Sequence, residues 1–323
     1  MLLGVLVAAV LIGLRAAAFN ASVSRAPLPS TALLGALNGS ERVNVLMVGY
    51  GGGDHDGAYL ADSIQVFSID PTTDTTTTIP IPRDLWIEGI GAYPQNGKVN
   101  TVFSAGQAEG GLDAAAELLA DVLTEVTGLT IDHSLSIDFD GFREMVDALG
   151  GVTVDNPVAF RYTTNPAQHE AGNWNTGGFD AGAIHLDGDE ALAYTRARFT
   201  SVVAESTDFA RSVRQARVLA AMRGELGGGG PAAIIPGLRL MDAMEGRVRT
   251  DLSVIDLFLL SSHLSSDRRI ELSEGPVLTA STNTFGQYIL IPADWTGPGS
   301  YGGIRAYLAN ELEQSGDSGT DAP

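Results

Sequence analysis

Cysteine is absent from this chain of 323 residues, and lysine occurs only once, at Lys98. Without cysteine the protein has no thiol catalysis, no cysteine-ligated zinc, no iron–sulfur cluster and no disulfide. Positive charge is also scarce: the formal net charge is −20 at pH 7, which excludes the usual electrostatic footprint of a nucleic-acid binder. Five scattered histidines form no metal-binding spacing, and neither His-Glu-x-x-His nor Gly-x-Ser-x-Gly occurs.

The composition is that of a folded globular protein. Hydrophobic residues make up 44% of the chain and aromatic residues 7%, and no long run of like charges interrupts them. The length allows one large domain or two modest ones.

The N-terminus is predicted to carry a membrane anchor. Residues 1–14 are almost wholly apolar, and alanines continue the stretch beyond Arg15. Fourteen residues are fewer than the ~20 that span a bilayer, although an arginine can extend its charge to the membrane surface. A cleavable signal peptide would need a basic first region, which is missing. We therefore predict an anchor over 1–19, a linker over 20–42 and a domain outside the membrane; the alternative is a buried helix of that domain.

The rest of the chain alternates strand and helix patterns, which predicts an α/β sandwich built on one sheet. One domain is expected over 43–312, followed by a disordered acidic tail over 313–323. An aperiodic polar stretch over 156–186 has the length of a lid or binding loop. The strands are predicted at 43–48, 62–69, 75–79, 134–137 and 152–155, and the helices at 112–126, 141–149, 187–197 and 208–223.

A glycine-rich loop that bears carboxylates follows the first strand. It matches neither the dinucleotide fingerprint nor the Walker pattern, because the third glycine and the Gly-Lys-Ser/Thr sequence are missing. Asp54 and Asp56 lie in the loop, and Asp62 begins the next strand. Carboxylates beside a phosphate require a hard cation such as Mg²⁺ between them. The alternative is a solvated turn in which the aspartates bond their own backbone.

Two basic residues follow the third predicted strand. Pro80 and Pro82 end that strand and leave Arg83 at its carboxyl edge, where open α/β sheets place their ligands. Lys98 follows in a short Gly-Lys-Val-Asn sequence. The alternative is an ordinary surface salt bridge between Arg83 and Asp84.

The strongest signal is a cluster of arginines in an acidic protein. Five lie within 22 residues, and always-charged guanidinium groups suit a pyrophosphate or another polyanion. In the helix predicted over 208–223, one side is apolar, and the polar side would carry Arg211, Arg214 and Gln215. The alternative pairs the arginines with local acids such as Glu205 and Asp208. The apolar side would consist of Phe209, Val213, Ala216 and Ala220, and the clustered arginines are Arg196, Arg198, Arg211, Arg214 and Arg217.

Six motifs occur in order along the chain, at 56–62, 81–84, 98–100, 138–152, 186–198 and 208–215. Together they resemble the LytR-CpsA-Psr family of cell-wall glycopolymer ligases. The resemblance is strong over about 43–225 and looser up to Leu312. Two departures leave the charged groups in place: Ala210 stands where the family often has glycine, and Thr195 and Ala197 replace common valine and phenylalanine.

The resemblance implies an αβα sandwich with a central mixed β-sheet, anchored in the cell membrane by one N-terminal helix with its catalytic domain outside. Family members transfer a glycopolymer phosphate from a polyprenyl-pyrophosphate carrier to peptidoglycan, and some hydrolyse pyrophosphate. Asp56 and Asp62 would hold Mg²⁺, with Asp54 an alternative first acid, and Asp208 would orient an arginine or accept the acceptor's proton. The catalytic set would be Arg83, Arg196, Arg198 and Asp208, and the pyrophosphate would be bound by Arg83, Lys98, Arg196, Arg198, Arg211, Arg214 and Gln215.

Two other functions remain open at this point. The Asp54-His55-Asp56 sequence is similar to the metal-binding Asp-x-Asp of nucleotide-sugar glycosyltransferases, which would leave the arginines without a role. A non-catalytic module that grips a lipid-linked or wall polyanion would use the arginines without metal or product release. The expected partners are the lipid-linked glycopolymer, peptidoglycan and membrane lipid.

Overall fold

The structure, a computed structural model, describes residues 2–26, 32–39, 41–53, 57–225, 234–263 and 268–317. They divide into two compact units, each described by itself. Unit 1 comprises Met1–Asp138 and Glu245–Pro323, and unit 2 comprises Phe139–Met244.

The described elements are as follows in chain order. The helices are α1 (Leu2–Val23), α2 (Ala32–Leu37), α3 (Val99–Thr127), α4 (Phe139–Leu149), α5 (Pro166–Glu170), α6 (Gly188–Arg196), α7 (Asp208–Glu225), α8 (Ile234–Met244), α9 (Val254–His263) and α10 (Gly302–Asp317), with a 3-10 turn at Val203–Ser206. The strands are β1 (Val43–Tyr50), β2 (Ala61–Asp70), β3 (Thr75–Pro80), β4 (Trp86–Ile87), β5 (Gly97–Lys98), β6 (His133–Asp138), β7 (Val152–Asn156), β8 (Phe160–Thr163), β9 (Gly177–Phe179), β10 (Gly182–Leu186), β11 (Phe199–Thr200), β12 (Val248–Thr250), β13 (Arg268–Arg269), β14 (Leu278–Thr282) and β15 (Tyr288–Pro292).

Unit 1 is built on a six-stranded sheet in the order β12-β6-β1-β2-β3-β13. β1 is parallel to β6, and β3 to β13, whereas the other neighbours are antiparallel. The predicted mixed sheet is confirmed. Runs of β-branched residues made its long strands readable from the sequence.

Both faces of this sheet are covered, because the side chains of β1 alternate between two hydrophobic clusters. Val43 and Val45 belong to a cluster with Leu33 of α2 and Leu260 of α9. Leu46, Val48 and Tyr50 join a larger cluster on the other face, which includes buried residues of α3 and α10. Helices on both faces of one sheet form the predicted sandwich.

The N-terminal and C-terminal segments differ from the sequence-based prediction. α2 lies inside the predicted linker, where Leu33 is fully buried and gives that segment a reason to fold. α10 continues to Asp317, five residues into the predicted tail, and 318–323 lies outside the described residues. α1 packs Phe19 and Val23 into the unit at its end. Among the described residues no helix is long and apolar enough to cross a membrane. The anchor over 1–19 stays a prediction.

Unit 2 packs its helices and short strands around its own core. Val152, Phe160, Tyr194 and Val218 are central members of this core. The stretch over 156–186, predicted as an irregular loop, contains β8, α5, β9 and β10. These elements have three to five residues each, too few for a hydrophobic period to show in the sequence.

A half-buried His–Asp pair in unit 1 makes its stability depend on pH. His133 Nδ1 lies 2.8 Å from Asp251 Oδ2, and Asp251 Oδ1 accepts a hydrogen bond from the Ser134 N–H at 2.7 Å. Burial by itself lowers the pKa of His133, but the hydrogen bond and charge of Asp251, with Asp132 and Asp256 farther away, raise it overall. The pair lies at the start of β6, on the opposite sheet edge from the end of β1.

We expect this pair to stabilise the protein most at mildly acidic pH. Because the folded pKa of His133 is raised, its contribution is complete below the unfolded value of about 6.5 and is lost as the pH rises through the folded pKa. Replacing Asp251 with asparagine should therefore lower the Tm more at pH 6 than at pH 9, as measured by thermal unfolding. An equal loss at both pH values would show that the pair is not charged.

Candidate functional site

The carboxyl ends of β1 and β6 meet at one edge of the sheet, where the glycine-rich loop begins. Tyr50, the last residue of β1, pairs with Asp138 of β6 and Ala61 of β2. Gly52 has φ +71°, and a Cβ there would lie 2.9 Å from the Cβ of Asp138, so only glycine fits. Burial, followed by the charge of Asp138, raises the pKa of Tyr50 and keeps its hydroxyl protonated. The predicted Asp54 and Asp56 lie outside the described residues.

Four charged residues near the ends of β2, β3 and β5 contact one another in a row, which we call the carboxylate site: Asp62, Arg83, Asp84 and Lys98. Arg83 Nη1 donates to Asp62 Oδ1 at 2.6 Å, and Arg83 Nε lies 3.8 Å from Asp84 Oδ2. Lys98 Nζ donates to Asp84 Oδ1 at 2.6 Å. The signs alternate along the row, so the structure brings together the predicted residues Asp62, Arg83 and Lys98 of unit 1.

Asp84 is the buried centre of the carboxylate site. It is 4% exposed, whereas Arg83, Lys98 and Asp62 each keep part of their side chains in solvent. The Arg83–Asp84 pair anticipated as a surface salt bridge is therefore mostly buried. Two buried polar atoms at this place have no hydrogen-bond partner within the described residues. They are Arg83 Nε and Oδ1 of Asn100, whose backbone N–H donates to the Arg83 carbonyl. The site thus has polar atoms that its own side chains do not satisfy.

The described residues include one of the two aspartates predicted to hold magnesium, Asp62. They contain no group of three or more His, Asp or Glu side chains that could hold a metal ion. Mg²⁺ commonly takes one or two carboxylates and completes its shell with phosphate oxygens and water, so a closed protein cage is not required. Asp62 offers one carboxylate, of which Oδ1 already accepts from Arg83. The donor chemistry fits, and the magnesium prediction stays a prediction.

In unit 2, two predicted arginines lie at the end of α6, where the helix stops. A capping box between Asp187 and Glu190 starts the helix. The helix ends at Ala197, whose backbone is extended, with φ −54° and ψ 121°. Arg196 is exposed, and its Cζ lies 4.1 Å from the centre of the Phe139 ring, a cation–π contact. Arg198 follows the break.

Asp208 connects the second of these arginines to α7. Its Oδ1 lies 3.8 Å from Arg198 Nη2 and accepts a hydrogen bond from Arg211 Nη1 at 2.5 Å. The side chain of Arg198 is 41% exposed, whereas that of Arg211 is 5% exposed. Thr207 caps the helix by accepting from the Ala210 N–H. We call Arg196, Arg198, Asp208 and Arg211 the arginine site.

The buried face of α7 differs from the predicted one. Phe209, expected on the apolar side, is 54% exposed. Arg214 is fully buried and donates to backbone carbonyls and to Glu205, so from this position it has no surface to offer a phosphate. The helical-wheel argument failed because buried acceptors satisfy this guanidinium. The residues actually buried on α7 are Ala210, Arg211, Arg214, Val218 and Met222.

Some neighbours of the predicted charged residues were not anticipated from the sequence. Gln215 is half-buried on α7, in the same unit as the arginine site. The local pairing weighed as an alternative also occurs, with Glu205 at Arg214 and Asp208 at Arg211. Phe139 lies in one of the matched motifs, yet nothing in its spacing signalled a contact with Arg196.

Comparison with known proteins finds close counterparts of this architecture. The TagU polyisoprenyl-teichoic acid–peptidoglycan teichoic acid transferase of Halalkalibacterium halodurans is 28% identical over 260 residues, 80% of this chain and 77% of the relative. Its namesake in Bacillus anthracis is 30% identical over 220 residues, 68% of this chain but only 63% of the relative. The crystal structure of Bacillus subtilis TagV is 22% identical, with a TM-score of 0.61 over 85% of this chain and 98% of that one, which supports the fold alone.

The family match covers most of the chain and includes both sites. It extends over residues 15–294, from α1 to beyond β15. The carboxylate site and the arginine site both fall within it. The protein therefore belongs to the LytR_cpsA_psr family.

Proposed function

We propose that this protein transfers a glycopolymer phosphate from a polyprenyl-pyrophosphate carrier to a hydroxyl group of peptidoglycan, releasing polyprenyl phosphate. The observation that carries the proposal is the pair Arg196 and Arg198 at the end of α6, with Asp208 beside Arg198. Guanidinium groups fork onto phosphate oxygens and keep their charge, so the pair suits the pyrophosphate of the donor. The names of the two TagU relatives support a transfer of this kind.

The proposed reaction is a displacement at phosphorus. The acceptor oxygen forms a bond to the sugar-side phosphorus, and the bond from that phosphorus to the bridging oxygen breaks. The electron pair stays on the bridging oxygen, which leaves as part of polyprenyl phosphate. Arg196 and Arg198 stabilise the charge that develops on the phosphate oxygens. The acceptor's proton passes to a base, for which Asp208 is the candidate in unit 2, although its contacts to Arg198 and Arg211 favour an orienting role.

In unit 1, we assign phosphate binding to the carboxylate site. Arg83 and Lys98 are its two cations, and each keeps part of its side chain in solvent. Mg²⁺ would be held by Asp62 together with Asp56, which lies outside the described residues. When bound, the ion supplies positive charge that neutralises pyrophosphate oxygens.

The proposed location is the outer side of the cell membrane, with residues 1–19 as the anchor. The almost wholly apolar sequence over 1–14 supports it, as do a lipid-linked donor and a wall acceptor. Protease added to intact protoplasts should digest the catalytic domain. A domain protected until the membrane is opened would contradict this location.

The reaction can be tested with the full-length protein in detergent. A polyprenyl-pyrophosphoryl disaccharide is incubated with wall fragments, with Mg²⁺ or with a chelator, and polyprenyl phosphate is followed by mass spectrometry. We expect release that depends on Mg²⁺ and a glycan phosphate attached to the wall fragments. Tight binding without release would instead favour the non-catalytic module, and release that survives chelation would contradict the role of magnesium.

A further inference from the structure

Arg214 is a fully buried guanidinium whose hydrogen bonds all go to one stretch of backbone and one carboxylate. Nε donates to the Tyr194 carbonyl at 2.8 Å, and Nη2 donates to the Ala197 carbonyl at 2.5 Å. Nη1 donates to the Glu205 carbonyl at 2.9 Å and to Glu205 Oε2 at 2.6 Å. A planar guanidinium makes these four bonds from three separate nitrogens with fixed donor directions, whereas an ammonium group has only three donors, all on one nitrogen.

These acceptors lie at the end of α6 and in the segment that follows it. The last carbonyls of a helix have no partners within the helix, and a cation is favourable beside them. Arg214 satisfies two such carbonyls, those of Tyr194 and Ala197. Through Glu205 it also holds the 3-10 turn that leads into Asp208. The guanidinium therefore fixes the backbone on both sides of Arg198.

The break that Arg214 supports decides where the two exposed arginines can point. In a continuous helix, Arg196 and Arg198 would be separated by about 200° around the axis and would face opposite sides. The extended conformation of Ala197 ends the helix between them. A break at this point removes that opposition, so both guanidinium groups can serve one phosphate-containing ligand.

We propose that Arg214 is a positioning residue: it holds the chain break at Ala197 and thereby sets the directions of Arg196 and Arg198. This inference rests on the proposed function and revises the sequence-based assignment of Arg214 as a pyrophosphate ligand. The residue acts from inside the core and leaves phosphate contact to its two exposed neighbours.

The test compares Arg214→Lys with Val218→Ala in the full-length protein. Val218 is fully buried one turn along the same helix and contacts the same core, so Val218→Ala is a matched destabilised control. We expect both variants to fold with a lowered Tm. Arg214→Lys should weaken the binding of inorganic pyrophosphate about tenfold, because the single nitrogen of lysine cannot reproduce all four hydrogen bonds, whereas Val218→Ala should leave the Kd nearly unchanged.

A second readout does not depend on the ligand. The Ala197 N–H donates to the Ala193 carbonyl at 2.9 Å, and its hydrogen exchange reports on the chain break. Exchange at Ala197 should be faster in Arg214→Lys than in Val218→Ala. Equal exchange in the two variants overturns the inference, whether or not the wild-type protein binds pyrophosphate. Failure of the wild-type protein to bind pyrophosphate would count against the proposed function instead. If Arg214→Lys does not fold, Glu205→Gln, which weakens the same hold without removing the guanidinium, is compared in its place.

Discussion

Replacing Arg198 with alanine is expected to lower kcat/KM for glycopolymer transfer by about two to three orders of magnitude. The guanidinium group is placed to stabilise charge on phosphate oxygens, and that charge increases in the transition state. Because its side chain is 41% exposed, removing it opens no cavity in the core, and the Tm should stay close to that of the wild type. Arg198→Lys should recover part of the rate, since lysine keeps the charge but loses the two-pronged geometry.

The measurement is the initial rate of polyprenyl phosphate formation, together with thermal unfolding of each variant. Arg161→Ala is the matched control, because Arg161 is an exposed arginine on β8 of the same unit and lies outside the arginine site. Arg196→Ala should behave like Arg198→Ala, with an added loss of the contact to Phe139. Wild-type rates in both arginine variants would contradict the assignment of this site.

Much of the fold of unit 1 follows from its sequence, because its long strands alternate or run apolar where both faces are buried. β1 shows why: its residues divide between two cores, and the pattern was visible without a structure. The first half of α3 was not predictable, because it holds small and polar residues and ends at the non-helical Gly110 and Gly111. The strands β8, β9 and β10 of unit 2 were not predicted for a different reason, since pairing between strands of three to five residues depends on tertiary contacts.

The candidate site was predictable as chemistry but not as geometry. The prolines that end a strand pointed to Arg83, and clustering with few local partners pointed to Arg196 and Arg198; all three keep some solvent exposure in the structure. The sequence could not tell a ligand-binding arginine from a structural one. Arg214 has the same residue type on the same helix as Arg211, and what separates them is three backbone carbonyls contributed by distant residues. Contacts of that kind leave no trace in spacing or composition.

Replacing Asp84 with alanine is expected to destabilise unit 1 by about 3 kcal/mol. Asp84 is 4% exposed and accepts from Lys98 Nζ at 2.6 Å while lying 3.8 Å from Arg83 Nε. Without it, two neighbouring cations lose their common partner in a partly buried place. Arg83 would then be held by Asp62 alone, and the binding of inorganic phosphate by the carboxylate site should also weaken.

A double-mutant cycle separates this electrostatic cause from the loss of packing. Asp84→Asn keeps the size of the side chain, and Lys98→Met removes the opposing charge while keeping most of its apolar stem. Each single variant should lower the midpoint of urea unfolding. The double variant should lose clearly less stability than the sum of the two single losses, because it removes both charges of the pair and leaves neither one unpaired. Additive losses would show that Asp84 and Lys98 stabilise the fold independently. In that case the 2.6 Å contact would be a consequence of the fold, and Arg83 would take its orientation from Asp62.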